Sequence, residues 1–311
     1  VVVGEALIDV TPSERDEGAY LARPGGSPLN VAVGLARLAQ RTALAARLSA
    51  DPFGTVLRRH LDRSDVDQRY LVTAAQPSTI ALVELSGGEA RYEFSAGGAD
   101  FEWSSPELEF LPGEARAVHF GSLASWLPPG NRAIDAAISR VRAQGTVLVS
   151  YDPNVRPRLL PDPGAAREQV ERSVALSHVV KSSSDDVRWL YREDDPEAVA
   201  RRWLDLGASV VVITSGAEGA RGWTRSGVML SRPAFPAVVA DTVGAGDAFT
   251  SGLLDALARF GLLDPERLVF GLDAGRLAAV VDAASLVAAV TCGRPGADPP
   301  WRAELDELNG H

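Results

Sequence analysis

Asp241-Thr242-Val243-Gly244-Ala245-Gly246-Asp247-Ala248-Phe249, late in the chain, is the stretch on which the fold turns. Two carboxylates bracket two glycines, and an apolar, helix-like run from Ala248 to Phe260 follows directly. Glycines just ahead of a helix let backbone N–H groups converge where the helix dipole is positive, which makes an anion site. An aspartate inside such a site is poorly tolerated unless it takes part in chemistry. Asp247 therefore reads as a catalytic base beside an anion hole.

The rest of the chain bounds what that site serves. Its 311 residues are 46% apolar and 23% charged, the balance of a globular protein with room for one large α/β domain or two ordinary ones. A formal net charge of −10 argues against nucleic acid or an anionic membrane as the main partner, so any phosphate must be held locally. Arginine carries almost all the positive charge, because Lys181 is the only lysine. One cysteine, Cys292, excludes a disulfide framework and a cysteine zinc site. His60, His119, His178 and His311 lie too far apart for metal-ligand spacing. With no leader pattern and no apolar run of membrane-spanning length, the expectation is a soluble cytoplasmic protein.

Outward from the opening stretch, the chain alternates strand and helix signals. Val1-Val2-Val3 reads as a short buried strand, stopped by Gly4 and leading to Glu5-Ala6-Leu7-Ile8-Asp9, which places Asp9 near the end of the first strand. Gly25-Gly26-Ser27-Pro28-Leu29-Asn30 opens an amphipathic helix to about Gln40, with Asn30 in its first turn. Thr42 to Leu48 reads as one strand, and Asp51-Pro52-Phe53-Gly54 opens a helix to about Arg63. Residues 78–94 then break the rhythm with a hairpin pattern around Ser86-Gly87-Gly88. That hairpin, joined by a strand-like piece near Ala19 to Ala22, forms a small β-rich insertion, a lid made by about 10–24 and 76–98. Tyr92 and Phe94 alternate with charged residues there, facing either a ligand or the lid's own packing.

From Ala115 the alternation resumes: strands at Val118–Phe120, Thr146–Tyr151, Ala175–Lys181 and Val210–Ile213, and a helix from Asn131 to Gln144 ended by Gly145. Asp185-Asp186 begin another helix, and Leu253–Phe260, Arg267–Val281 and Ala283–Val290 read as buried helices. Uninterrupted apolar strands separated by helices imply a mostly parallel sheet covered on both faces. Asp9, Asn154, Lys181, Thr214, Gly216 and the Asp241 loop then converge on the rim formed by the strand C-terminal ends. No G-x-x-x-x-G-K-[ST] is present, Phe249 stands where a dinucleotide fingerprint needs its third glycine, and no nucleophile elbow is found.

Five stretches carry a resemblance. They are Gly25 to Leu38, Asp51-Pro52-Phe53-Gly54, Asp152-Pro153-Asn154-Val155-Arg156-Pro157, Asp241 to Phe249, and Thr291-Cys292-Gly293-Arg294-Pro295-Gly296-Ala297. In this order, over nearly the full length, the chain resembles the ribokinase-like, or PfkB, carbohydrate kinases, and most nearly their bacterial fructokinase branch. The resemblance implies a single ribokinase-like domain over 1–311, an α/β three-layer fold with a central sheet flanked by helices and a small lid. It also implies that Asp247 takes the proton of a sugar hydroxyl while Gly244, Ala245 and Gly246 receive the charge of the transferring phosphoryl.

By the same resemblance, Asp9, Gly25, Gly26, Asn30, Asn154 and Arg156, with Tyr92 from the lid, meet the sugar. Lys181, Ser183, Thr214, Gly216, Gly219, Gly246 and Ser285 meet the nucleotide. Asp241, the Val243 carbonyl, Thr291, Arg294 and Gly296 form a monovalent cation loop, for which K⁺ is the expected activator; a helix N-cap is the other role open to Asp241. ATP with Mg²⁺ is the expected phosphoryl donor, the ion held largely by phosphates and water. Ser183 and Asp186 stand where the family more often has Asn and Glu near the metal and phosphates, a departure that puts their transfer of role in doubt. Fructose is the expected acceptor; 2-keto-3-deoxygluconate, ribose or another ketose are alternatives, as is a non-catalytic sugar or nucleotide sensor. The lid's exposed edges would allow a homodimer.

Overall fold

The structure, a computed structural model, describes every residue except 14, 15, 17, 87, 88, 95–97, 161, 193, 194, 310 and 311, and describes 83–86 and 89–93 by backbone alone. The chain starts with β1 (Val2–Val3), β2 (Leu7–Pro12) and β3 (Tyr20–Gly25), then β4 (Leu44–Ala45), β5 (Arg47–Ser49) and β6 (Val72–Ala74). The hairpin β7 (Ile80–Ser86) and β8 (Glu89–Phe94) follows, then β9 (Ala117–Gly121) and β10 (Leu148–Asp152). After these come β11 (Val179–Ser183), β12 (Val210–Thr214), β13 (Ala220–Thr224) and β14 (Met229–Arg232).

Eight of these strands form the main sheet in the order β14-β13-β12-β11-β10-β9-β1-β4. The run from β12 to β4 is parallel, and β13 and β14 add antiparallel at one edge. Both faces are buried, and the alternation along β12 shows why its sequence is continuously apolar. Val210 and Val212 join the core beneath the Ser27–Arg37, Ala245–Arg259 and Ala274–Cys292 helices. Val211 and Ile213 join the core beneath the Asn131–Gln144, Pro163–Ala175, Ser184–Tyr191 and Pro196–Leu206 helices. The expected three-layer α/β architecture with a mostly parallel sheet is the one found.

A second, four-stranded sheet has the order β3-β2-β7-β8, with β2 and β7 parallel and the outer pairs antiparallel. Here the first strand reading needs correction. Asp9 does not lie at the end of the first strand: the chain bends at Gly4 to Ala6, so β1 stays in the main sheet and β2 carries Asp9 into the small sheet. Thr42 to Leu48 likewise divides into β4 and β5, which belong to different sheets. Residues 175–178 close a helix and lead into β11, which runs on to Ser183.

The Asn131–Gln144 helix has the expected bounds, stopped by Gly145 at φ 71°. The C-terminal helices divide elsewhere than expected, as Pro265–Gly271 and a continuous Ala274–Cys292. That last helix is 19 residues long and reaches a mean hydropathy of 1.5, so one segment does have the length and apolarity of a membrane span, contrary to the sequence reading. Asp282, which interrupts it in sequence, sits at its surface and pairs with Arg232, while Leu277, Val280, Val281, Ala284 and Val287 face the core.

Candidate active site

Asp247 lies in the first turn of the Ala245–Arg259 helix and is 9% exposed. Ser27 Oγ donates to its Oδ1 at 2.6 Å and Asn30 Nδ2 to its Oδ2 at 2.8 Å. Both donors come from the first turn of the Ser27–Arg37 helix, so two helix N-termini meet at one carboxylate. Close helix packing makes this possible. A Cβ on Gly34 would stand 2.4 Å from Ser251 Oγ, and one on Gly252 would stand 2.9 Å from the Ala284 Cα. Glycines at those two contacts bring the central helix near its neighbours on both sides. Burial raises the pKa of Asp247, while Ser27, Asn30 and Lys181 favour its charged form.

The helix N-terminus itself is shaped by Gly244, which takes a left-handed φ of 76° and packs on Ala297. Among the described residues the amides of Gly246 and Asp247 have no protein acceptor, as an anion site requires. Ala245 differs from the sequence reading, because its N–H donates to the Thr242 carbonyl at 3.2 Å. The donors left open are therefore shifted one residue along the helix.

On the other wall stands Asp9, in β2. Gly25 lies across from it, and a Cβ there would fall 2.0 Å from Asp9 Oδ2, so the glycine leaves room for the carboxylate. The Asp9 carboxylate has no hydrogen-bond partner among the described residues, and burial followed by the charge of Asp247 pushes its pKa up to about 7. Gly26, at φ 100°, lies over the Glu5 carbonyl and turns the chain into the Asn30 helix. Asn154 sits just past β10 in the left-handed region at φ 41°, and its Oδ1 accepts from Arg156 at 2.6 Å. The side chain of Tyr92 lies outside the described residues.

Lys181 is buried in β11 and donates to Asp152 Oδ2 at 2.9 Å. Burial pulls its pKa down, but the charge and hydrogen bond of Asp152 outweigh that and the net shift is upward. Ser183 and Asp186 form a capping box for the Ser184–Tyr191 helix, and Asp186 Oδ1 also accepts from the Val155 amide at 3.2 Å. These two side chains are thus engaged in local structure. Beyond them, Thr214 ends β12, Gly216 is exposed at φ 54° with nothing near a Cβ, and Gly219 turns the chain against Arg232 to Ala234. Ser285 is buried on the long C-terminal helix.

A family profile for "pfkB family carbohydrate kinase" matches residues 1–304. The chain belongs to the pfkB family of carbohydrate kinases. It is 36% identical over 273 residues to a fructokinase of Rhizobium leguminosarum bv. trifolii, covering 87% of this chain and 82% of that one. Its fold is similar to that of a fructokinase from Xylella fastidiosa solved with bound ATP, with a TM-score of 0.89, 27% identity, and coverage of 100% and 99% of the two chains. It is also similar to a double mutant of a fructokinase from Vibrio cholerae O395 in a fructose-, ADP- and potassium-bound form, at a TM-score of 0.82, 28% identity, and coverage of 95% and 93%. The protein is an ATP-dependent carbohydrate kinase.

In this kinase the expected cation loop is assembled from two segments. Asp241 Oδ1 accepts from the Val243 amide and Oδ2 from the Gly296 amide, at 3.0 and 2.8 Å, while the Asp241 N–H donates to the Cys292 carbonyl. Asp241 therefore ties two loops together, and the helix cap is Gly244 instead. The Thr291 hydroxyl donates to the Val287 carbonyl and the Arg294 guanidinium to Glu304, so Arg294 could offer a cation only its main-chain oxygen. Among the described residues no three His, Cys, Asp or Glu side chains are grouped to hold a metal ion.

The kinase site also contains residues that the sequence reading left unassigned. A serine beside proline reads as a helix opening, so the sequence does not single out Ser27. Nothing in the spacing of Asp152 and Thr250 brings them to Lys181. Arg23, which pairs across β2 from Asp9, reaches from the small sheet to lie against Gly296.

Proposed function

We propose that this kinase phosphorylates fructose on a primary hydroxyl, with Asp247 as general base and the amides at the N-terminus of its helix as the anion hole. The observation that supports this reading best is the Asp247 carboxylate, held through both oxygens beside two helix amides that have no acceptor among the described residues. Fructose is favoured by the 36% identity to the Rhizobium fructokinase, and the Asp152–Pro157 turn is where the family resemblance to that branch lies.

In the step itself, the sugar O–H gives its proton to Asp247 as its oxygen attacks the γ-phosphorus of ATP. A new P–O bond forms, the bond from the γ-phosphorus to the β–γ bridging oxygen breaks, and ADP leaves. Charge on the transferring group is received by the Gly246 and Asp247 amides, the arrangement that phosphoryl transfer rewards. Asp9, Asn30, Asn154 and Arg156, with the backbone at Gly25 and Gly26, orient the hydroxyls. The turn from Thr214 to Gly219 lies along the nucleotide, with Ser285 at its far end.

Mg²⁺, bound with ATP and held mostly by phosphates and water, would neutralise phosphate charge. K⁺ would fit main-chain oxygens of the two loops that Asp241 ties together, where it would fix the orientation of the helix N-terminus. The small sheet acts as a lid over the sugar, carrying Asp9 and Arg23 on adjacent strands.

A coupled ADP-release assay over ketoses, aldoses and keto acids tests the substrate. Fructose should give the highest kcat/KM, and a tenfold preference for 2-keto-3-deoxygluconate or ribose would replace it. Exchanging K⁺ for Na⁺ in the same assay should lower the rate, and indifference to the exchange would remove the cation loop from the reading.

A further inference from the structure

We propose that Arg23, carried by the small sheet, is a further catalytic residue, whose guanidinium meets the transferring phosphoryl group. This rests on the reading of phosphoryl transfer at Asp247.

An ion pair that the sheet favours is not made. Arg23 of β3 and Asp9 of β2 are register partners in an antiparallel pair, so their side chains leave the same face of the small sheet. Opposite charges so placed ordinarily meet. Here they part. Asp9 lies under Gly25, where a Cβ would fall 2.0 Å from Oδ2, and the charges it feels most are those of Asp247, Arg156 and Glu5. Arg23 instead leaves its own sheet, and a Cβ on Gly296 would stand 3.4 Å from its Nη1. Among the described residues the partly buried guanidinium has neither a hydrogen-bond acceptor nor an acidic partner.

The loop it reaches belongs to the phosphate side of the cleft. The Gly296 amide donates to Asp241 Oδ2 at 2.8 Å, and a Cβ on Gly244 would stand 2.4 Å from the Cβ of the next residue, Ala297. Gly244 is the N-cap of the Ala245–Arg259 helix, whose Gly246 and Asp247 amides have no acceptor among the described residues. One loop therefore separates the guanidinium from a helix N-terminus. A cation and the positive end of a helix oppose each other until an anion lies between them. Five N–H donors in a planar fork suit the oxygens of a phosphoryl group. Because one sheet carries both Asp9 and Arg23, the placement that sets Asp9 on the sugar would also set the cation on the phosphoryl, so that the charge needed for transfer is complete only with a sugar in place.

Arg23→Met tests this by binding and by rate. By calorimetry in the presence of fructose, ADP with Mg²⁺ should bind wild type and variant alike within about threefold. ADP with Mg²⁺ and aluminium fluoride, which mimics the phosphoryl in transfer, should bind the variant on the order of tenfold more weakly than wild type. In the coupled assay kcat should fall roughly 10- to 100-fold with fructose KM changed by less than about threefold, and Arg23→Lys should restore part of the rate. Equal aluminium fluoride affinity in the two proteins overturns the proposal. A raised KM with kcat intact also overturns it, since Arg23 would then be a sugar contact.

A role confined to balancing the charge of Asp9 is separated by pH. Loss of a nearby cation would raise the Asp9 pKa, so a rise in kcat/KM displaced upward by about one pH unit in Arg23→Met, and absent when Asp9→Asn is added, would replace this reading. The proposal expects a lower profile of unchanged shape. The same calorimetry with ribose or 2-keto-3-deoxygluconate keeps the substrate question apart. An aluminium fluoride difference found only with one of those sugars would sink the fructose reading and leave this inference standing.

Discussion

On the Asp247 side of the cleft, both carboxylate oxygens are tied to Ser27 and Asn30, and the helix that carries the group packs closely between two others. Across the strand ends, the Gly216–Glu218 turn is exposed, and none of its side chains makes a hydrogen bond among the described residues. The first region fixes atoms before any ligand arrives, through close helix contacts at Gly34 and Gly252. The second leaves an open edge, which suits a large ligand that must enter and leave in every cycle. With Asp247 as the proposed base, preorganisation is concentrated where charge would change during the reaction, because there a small misplacement costs the most rate.

The sharpest way to break this comparison is Asp247→Asn. It keeps the hydrogen-bonding shape but removes the base, so kcat should fall on the order of 10²- to 10⁴-fold, while calorimetry still detects sugar and nucleotide binding. A variant within tenfold of the wild-type rate would end the base assignment.

A smaller effect compares the two regions in one measurement, thermal or urea unfolding. Gly34→Ala forces a methyl group against Ser251 and should cost about 1–3 kcal/mol, with a loss of kcat as Asn30 is displaced. Gly216→Ala meets open space and only the strain of a positive φ, about 1 kcal/mol. Equal destabilisation by both would mean that the Asp247 side is no more tightly packed than the nucleotide edge.

The smallest effect is read from pH. Asp9 has a pKa of about 7 in the ligand-free fold, raised by burial first and then by Asp247. A carboxyl raised in this way favours the folded state most below its unfolded pKa, and that advantage is lost as pH climbs through 7. Asp9→Asn should therefore gain stability relative to wild type between pH 4 and pH 8. In wild type, kcat/KM for the sugar should rise through pH 7 as the accepting carboxylate forms, and Asp9→Asn should remove that component. A stability difference that stays constant with pH would show that Asp9 titrates normally.

Much of the fold was legible because its signals are local. Val210-Val211-Val212-Ile213 is apolar at every position because β12 is buried on both faces, and Gly145 stops its helix by taking a left-handed turn. The misreadings share a cause. Asp9 reads as the end of the first strand because the stop at Gly4 does not tell that the chain changes sheets there. Asp282 reads as a break because an acidic residue in an apolar run looks disruptive, whereas one residue in a surface position does not interrupt a helix whose core face is intact.

The candidate site divides in the same way. The sequence by itself determined the helix that begins at the Gly244–Gly246 loop, the presence of an aspartate in its first turn, and the glycine approach to Asn30, since each depends on residues within a few positions of one another. Only the tertiary structure decided that Ser27 and Asn30 clamp Asp247, across 220 and 217 residues of sequence, and that Asp152 turns the one lysine toward Gly246. Hydrogen-bond partners of buried polar groups follow from the order of strands and the closeness of helices, and neither is written in the spacing of residues along the chain.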